Sequence, residues 1–121
     1  MTVGVRMQFL DDPRGGQRRW RLLSGNNRPL AMGRSGTRPP REELAAVRRL
    51  VREAEPRLSR DSAGRWRWEL SAAGGPEVRC PGVFARRIDA HRAFHRFTQA
   101  VEQAELTSAQ MPVPIQRELG R

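Results

Sequence analysis

Two imidazoles stand one helical turn apart in His91-Arg92-Ala93-Phe94-His95, the spacing at which a helix presents a pair of ligands to zinc. Arg92 occupies the position where a zinc peptidase helix carries its general-base glutamate. Asp89, the nearest carboxylate in the sequence, is better employed as a helix N-cap. The pair therefore reads as two solvated histidines beside a Phe94 and Phe97 stripe, and no metal or other cofactor is expected. Cys80 follows Arg79, and a neighbouring cation favours the thiolate. Strand alternation nevertheless turns Cys80 inward, as a buried structural residue with Met32 as its counterpart earlier in the chain. Ser35, in Gly33-Arg34-Ser35-Gly36-Thr37, falls one residue short of a nucleophile elbow because Thr37 replaces the final glycine. The acidic residues, 13 in all, lie mostly on helix faces, at caps or in turns, so paired carboxylates for acid and base work do not assemble. No glycine-rich segment matches a Walker loop or a dinucleotide fingerprint. The chain is expected not to be an enzyme.

Charge is the remaining signal. The 121 residues include 23 basic ones, every one an arginine, and the formal net charge is +10. Guanidinium groups make planar, bidentate contacts to phosphate and carboxylate that ammonium groups do not, so an anionic partner would select them. A GC-rich coding sequence would also enrich arginine together with alanine, glycine and proline, and the absence of tyrosine suits that cause. Either way the chain attracts polyanions. The single Cys80 permits no intrachain disulfide. Met1 to Arg6 lack a leader's charged and then apolar pattern, and no apolar run is long enough to span a bilayer. A cytoplasmic protein with no membrane partner is expected.

The elements that must position these groups follow from periodicity. Val3, Val5, Met7 and Phe9 alternate with polar residues, the period of a half-buried strand. Asp11 to Gly16 break it. Trp20 and Leu22 then share one face, with Arg19, Arg21 and Leu23 on the other, and Ser24-Gly25-Asn26-Asn27 supplies residues that tolerate positive φ at a hairpin turn. Leu30 and Met32 mark a short third strand punctuated by Gly33 and Gly36. After Pro39 and Pro40 the period becomes helical, with Leu44, Val47, Leu50 and Val51 on one stripe and Glu42 and Glu43 complementing the dipole at its start.

The chain then repeats itself. Gln17-Arg18-Arg19-Trp20-Arg21-Leu22 is echoed by Arg65-Trp66-Arg67-Trp68-Glu69-Leu70, 48 residues on. A short strand around Arg57 to Arg60 precedes the echo, Trp66, Trp68 and Leu70 face inward, Ala73-Gly74-Gly75-Pro76 turns the chain, and Val78 and Cys80 face inward on the strand that follows. Ala90, Phe94, Phe97 and Val101 then form a helical stripe. Each unit reads as three strands and a helix, too small to bury a core alone. The expectation is an α+β fold in which two tandem β-β-β-α repeats, about residues 3–55 and 56–105, form one antiparallel sheet with two helices packed on one face. Residues 1–106 make a single domain, and 107–121 a loosely ordered C-terminal tail.

Arg18-Arg19-Trp20-Arg21-Leu22-Leu23 with Asn26-Asn27, and Arg65-Trp66-Arg67-Trp68-Glu69-Leu70 with Gly74-Gly75 and Phe84, resemble the small, uncharacterised YegP-like proteins over roughly residues 5 to 105. The resemblance implies two three-strand-plus-helix repeats in one antiparallel sheet, each helix packing across onto the other repeat. It implies no activity.

Strand parity supplies the functional expectation. With the tryptophans inward, Arg6, Arg19, Arg21, Arg67 and Arg79 share the opposite, uncovered face of the sheet. Such a row can lie along a phosphate backbone or receive an acidic protein. It can also serve only to solvate that face. The chain is thus expected to be a non-enzymatic binding module for an anionic partner such as nucleic acid. The alternative is a protein-interaction or accessory module with no nucleic-acid role. A monomer and a helix-swapped homodimer are both compatible with the repeat.

Overall fold

The computed structural model describes residues 4–10 and 18–107. The turn expected at Asp11 to Gly16 lies outside the described residues, as does the expected C-terminal tail beyond Thr107. The elements run β1 (Arg6–Leu10), β2 (Arg18–Leu23), β3 (Pro29–Gly36), α1 (Pro40–Glu53), β4 (Arg57–Arg60), β5 (Trp66–Ser71), β6 (Glu77–Arg79), α2 (Arg87–Glu102) and β7 (Glu105–Leu106). The strands form one sheet in the order β4-β5-β6-β3-β2-β1-β7.

This sheet is mixed, which corrects the antiparallel expectation. Six strands pair antiparallel, and β7 adds to β1 in parallel, Arg6 opposite Glu105 and Met7 opposite Leu106. The chain leaving α2 runs beside β1 in the same direction. The Glu105 amide donates to Val5 O at 3.0 Å and the Thr107 amide to Met7 O at 3.3 Å, which covers part of an otherwise open strand edge.

Local chemistry explains the turns. Asn27 takes up φ 66° after β2, and Gly74 takes φ 72° between β5 and β6. Asp61 closes the β4–β5 turn by accepting the Ala63 and Arg65 amides, each at 2.9 Å. Those backbone hydrogen bonds hold its carboxyl below the usual carboxylate range.

Buried side chains alternate along the strands: Met7 and Phe9, Trp20 and Leu22, Trp68 and Leu70, with Val78. The Trp20 indole donates to Glu43 Oε2 of α1 at 2.8 Å. Trp68 stacks on Phe97 of α2 at 5.0 Å and meets Phe94 edge-on at 5.2 Å. Its indole N–H has no hydrogen-bond partner among the described residues.

Three expectations about side-chain direction are corrected. Met32 stands opposite Arg21 and Arg79, on the face away from Trp20, while Ala31 and Gly33 carry the inner face of β3. Trp66 is only half-buried, with the Arg60 guanidinium 5.9 Å above its ring, because it sits where the edge strand β4 ends. Leu23 is buried rather than outward, since a register shift follows Leu22.

The helix ends differ from the simplest capping scheme as well. Pro40 opens α1 at a position that needs no amide. Glu43, in the first turn of α1 as expected, is fully buried. At α2 the N-cap is Arg86, and Asp89 lies inside the first turn, accepting from the Arg86 guanidinium at 3.0 and 3.2 Å. That hydrogen bond, ahead of the neighbouring arginine charges, holds the Asp89 carboxyl below its usual range.

Arg48 closes the other end of α2. Its guanidinium donates to Val101 O at 3.0 Å, Glu102 O at 3.3 Å and Ala104 O at 2.8 Å, carbonyls at the C-terminus of α2 and just beyond it, where a cation also complements the helix dipole. One helical turn along α1, Arg52 grips Glu102 with contacts of 2.7 and 3.0 Å and holds its carboxyl below the ordinary range. Arg48→Ala is therefore expected to cost about 2 kcal/mol in urea unfolding, by stripping the carbonyl partners at the α2–β7 junction. A midpoint equal to the parent's would show that water satisfies those carbonyls as well.

Candidate anion-binding face

The register converts sequence parity into a map of the sheet face opposite Trp20. One row runs Arg57, Glu69, Arg79, Met32, Arg21, Gln8, each directly opposite the next across β4, β5, β6, β3, β2 and β1. The next row runs Ser71, Glu77, Arg34, Arg19, Leu10. A groove of about 370 Å³ crosses the middle of this face, lined by Arg19, Arg21, Arg34 and Arg79, by Glu69 and Glu77, and by the apolar Leu10 and Met32.

Arg19, Arg21 and Arg79 are thus three of the five expected residues, brought together and exposed. Arg21 Nε donates to Gln8 Oε1 at 2.6 Å. The guanidinium groups of Arg19, Arg34 and Arg79 have no hydrogen-bond or ion-pair partner among the described residues. Arg6 and Arg67 stand outside the groove and are engaged: Arg6 with Gly4 O at 3.3 Å and with the Asn27 side-chain carbonyl, Arg67 with Asp61 at 3.6 Å.

Arg34 was not among the expected residues. Gly33 and Gly36 read as punctuation in sequence, yet β3 continues through both, and Met32 and Arg34 sit two apart on one face. That spacing was the available signal. The carboxylates of Glu69 and Glu77 make the groove two-sided in charge, basic over β2 and β3 and acidic toward β5.

The other candidates are placed as structural groups. Cys80 Sγ accepts the Trp68 amide at 3.4 Å and donates to Gly82 O at 3.0 Å. Ser35 is buried, its hydroxyl donating to Arg18 O at 3.4 Å. The His91 and His95 rings meet edge to face at 5.2 Å. Among the described residues no group of three or more His, Cys, Asp or Glu side chains is arranged to hold a metal ion, and no helix is long and apolar enough to cross a membrane.

Among solved structures, the chain is similar to the solution NMR structure of YegP, a protein of unknown function from E. coli, with a TM-score of 0.70 over 88% of this chain and 93% of that one. The chain has the YegP fold. At 15% identity the likeness carries the architecture and no residue roles. The resemblance to YegP-like proteins read from the repeated tryptophan strands is thereby borne out as a fold. No family model and no curated protein matches the sequence.

Proposed function

We propose that this YegP-like protein is a non-enzymatic binding module whose outer sheet face engages an anionic partner, nucleic acid through its phosphates in the first place. The observation that supports this reading is the direct opposition of Arg19 and Arg34, with Arg21 and Arg79 flanking Met32 one row away. Like charges directly opposite on neighbouring strands destabilise a sheet. A phosphate lying between them relieves that repulsion and accepts from both guanidinium groups. The order of elements and the antiparallel pairing of β3 with β6 support the accompanying view of the fold as two tandem β-β-β-α repeats in a single domain of residues 1–106, with two helices covering the inner face. In that view the protein works in the cytoplasm as a monomer or a helix-swapped homodimer.

A salt series on a single-stranded or duplex oligonucleotide tests the proposal. With about three phosphates engaged, affinity for duplex is expected to fall about 40-fold between about 50 and 200 mM salt. Joint replacement of Arg19, Arg21, Arg34 and Arg79 by glutamate is expected to abolish retention, while Arg6→Glu with Arg67→Glu leaves most of it. Retention unchanged by the fourfold replacement would sink the idea.

The mixed sign of the groove favours a second reading, docking of an acidic protein surface. Glu69 and Glu77 beside the arginines, with exposed Leu10 and half-buried Met32 in the same groove, resemble a polar protein interface with a small apolar centre. Protein co-purification that survives nuclease treatment and is lost in the fourfold variant would select it.

A further inference from the structure

A second concavity lies at the end of the sheet. The β3–α1 connection and the β5–β6 hairpin enclose a cleft of about 640 Å³. Arg34, Ser71 and Glu77 border both this cleft and the outer groove, while Thr37, Arg38 and the small-residue segment 72–75 belong to the cleft alone.

Arg38 is held there from inside the protein. Its Nε donates to Glu43 Oε1 at 2.7 Å, and the other oxygen of that fully buried carboxylate accepts the Trp20 indole at 2.8 Å. The two terminal nitrogens of Arg38 make no hydrogen bond among the described residues. A core carboxylate thus fixes one edge of a guanidinium and leaves the other edge to the cleft, the fork geometry that suits an oxyanion. Arg34 adds a second guanidinium without an intramolecular partner among the described residues, and Thr37 and Ser71 add two exposed hydroxyls.

The number of acceptor oxygens discriminates between anions. A carboxylate offers two oxygens, whereas a terminal phosphate offers three and can accept from two guanidinium groups and a hydroxyl together. Glu77 stands directly opposite both Arg34 and Ser71. Beside a bare phosphate it would repel, but it accepts from a hydroxyl on the carbon skeleton that carries the phosphate. We propose that the cleft binds a phosphomonoester of a hydroxylated carbon skeleton, with Arg34 and Arg38 on the phosphate and Glu77 on an adjacent hydroxyl. The same chemistry is presented by the end of a polynucleotide and by a small sugar phosphate. The cleft shares Arg34 and Glu77 with the groove, and Thr37, Arg38 and the segment 72–75 belong to it alone, so shifts at those amides distinguish it from the groove reading.

Amide NMR titration of the full chain tests it, with inorganic phosphate, ribose 5-phosphate, and a 5′-phosphorylated oligonucleotide against its 5′-hydroxyl counterpart as probes. Saturable shifts are expected at Thr37 and Ala72 to Gly75 with inorganic phosphate and ribose 5-phosphate, the latter binding more tightly. Arg34→Ala, at an exposed position whose loss leaves no buried partner, is expected to weaken both at least tenfold. Glu77→Gln should strengthen inorganic phosphate and remove the advantage of ribose 5-phosphate. A preference for the phosphorylated oligonucleotide identifies the chain end as the source, and equal binding of the two oligonucleotides identifies the small phosphate. Absence of saturable shifts at these amides, or shifts unaltered by Arg34→Ala, overturns the proposal. Arg38→Ala is a poorer first test because it uncovers buried Glu43.

Discussion

Replacement of Gly33 by alanine is expected to destabilise the protein by about 3 kcal/mol and to lower its melting midpoint by about 15 °C. A Cβ at this position would lie 2.5 Å from the Glu77 carbonyl oxygen, 2.5 Å from Trp20 Cζ2 and 2.6 Å from Trp20 Cε2. Neither neighbour can yield cheaply. The carbonyl is backbone of β6, and the indole is held on its other side by Glu43 and the core. Relief would require β3 and β6 to separate where Gly33 faces Val78, the seam that joins the first three strands to β4, β5 and β6. Gly4→Ala is the control, since nothing lies within 4 Å of its Cβ position, and its stability should match the parent's. Equal melting of the two variants would mean that the seam relaxes without cost.

The second large effect belongs to Glu43. Glu43→Ala is expected to cost about 3 kcal/mol in denaturant unfolding at an unchanged m-value. It orphans a buried indole N–H, opens a cavity and releases Arg38. The ion pair with Arg38 contributes the smaller share, because the arginine side chain is 32% exposed and solvent screens it. Glu43→Gln keeps an acceptor for Trp20 and should therefore lose only about 1 kcal/mol. Similar losses for the two variants would show that charge and not the indole acceptor decides the position. The Glu43→Gln variant also bears on the cleft, since it loosens Arg38 without emptying the core.

Much of the secondary structure was legible because its signals are local. Alternation marked β1, β2 and β5, and a short strand was readable at Arg57 to Arg60. The stripe of Ala90, Phe94, Phe97 and Val101 marked α2 and is buried as expected. Asn27 and Gly74 marked turns because the backbone there needs positive φ. The phase of β3 was not legible. Its inner positions are Ala31, opposite Leu22, and Gly33, against the Trp20 ring, both small, so the hydrophobic pattern pointed to Leu30 and Met32 instead. That error of one residue also hid Arg34, since a one-residue change of phase moves every side chain to the other face.

The candidate groove was legible in part for the same reason. Parity within each strand placed Arg19, Arg21 and Arg79 on the outer face. Which of those residues become neighbours depends on inter-strand register, and register here depends on contacts between distant segments.

The sequence by itself determined six of the strand segments and both helices, the inward direction of Trp20 and Trp68, and an arginine-rich opposite face, because each follows from side-chain periodicity along a few residues. Only the tertiary structure decided that β7 closes onto β1, that Gly33 must be glycine, that Glu43 is a buried acceptor, and that Glu69 and Glu77 share the groove with the arginines. Those outcomes depend on which segments meet across the sheet, and periodicity within a segment carries no information about what will stand opposite it.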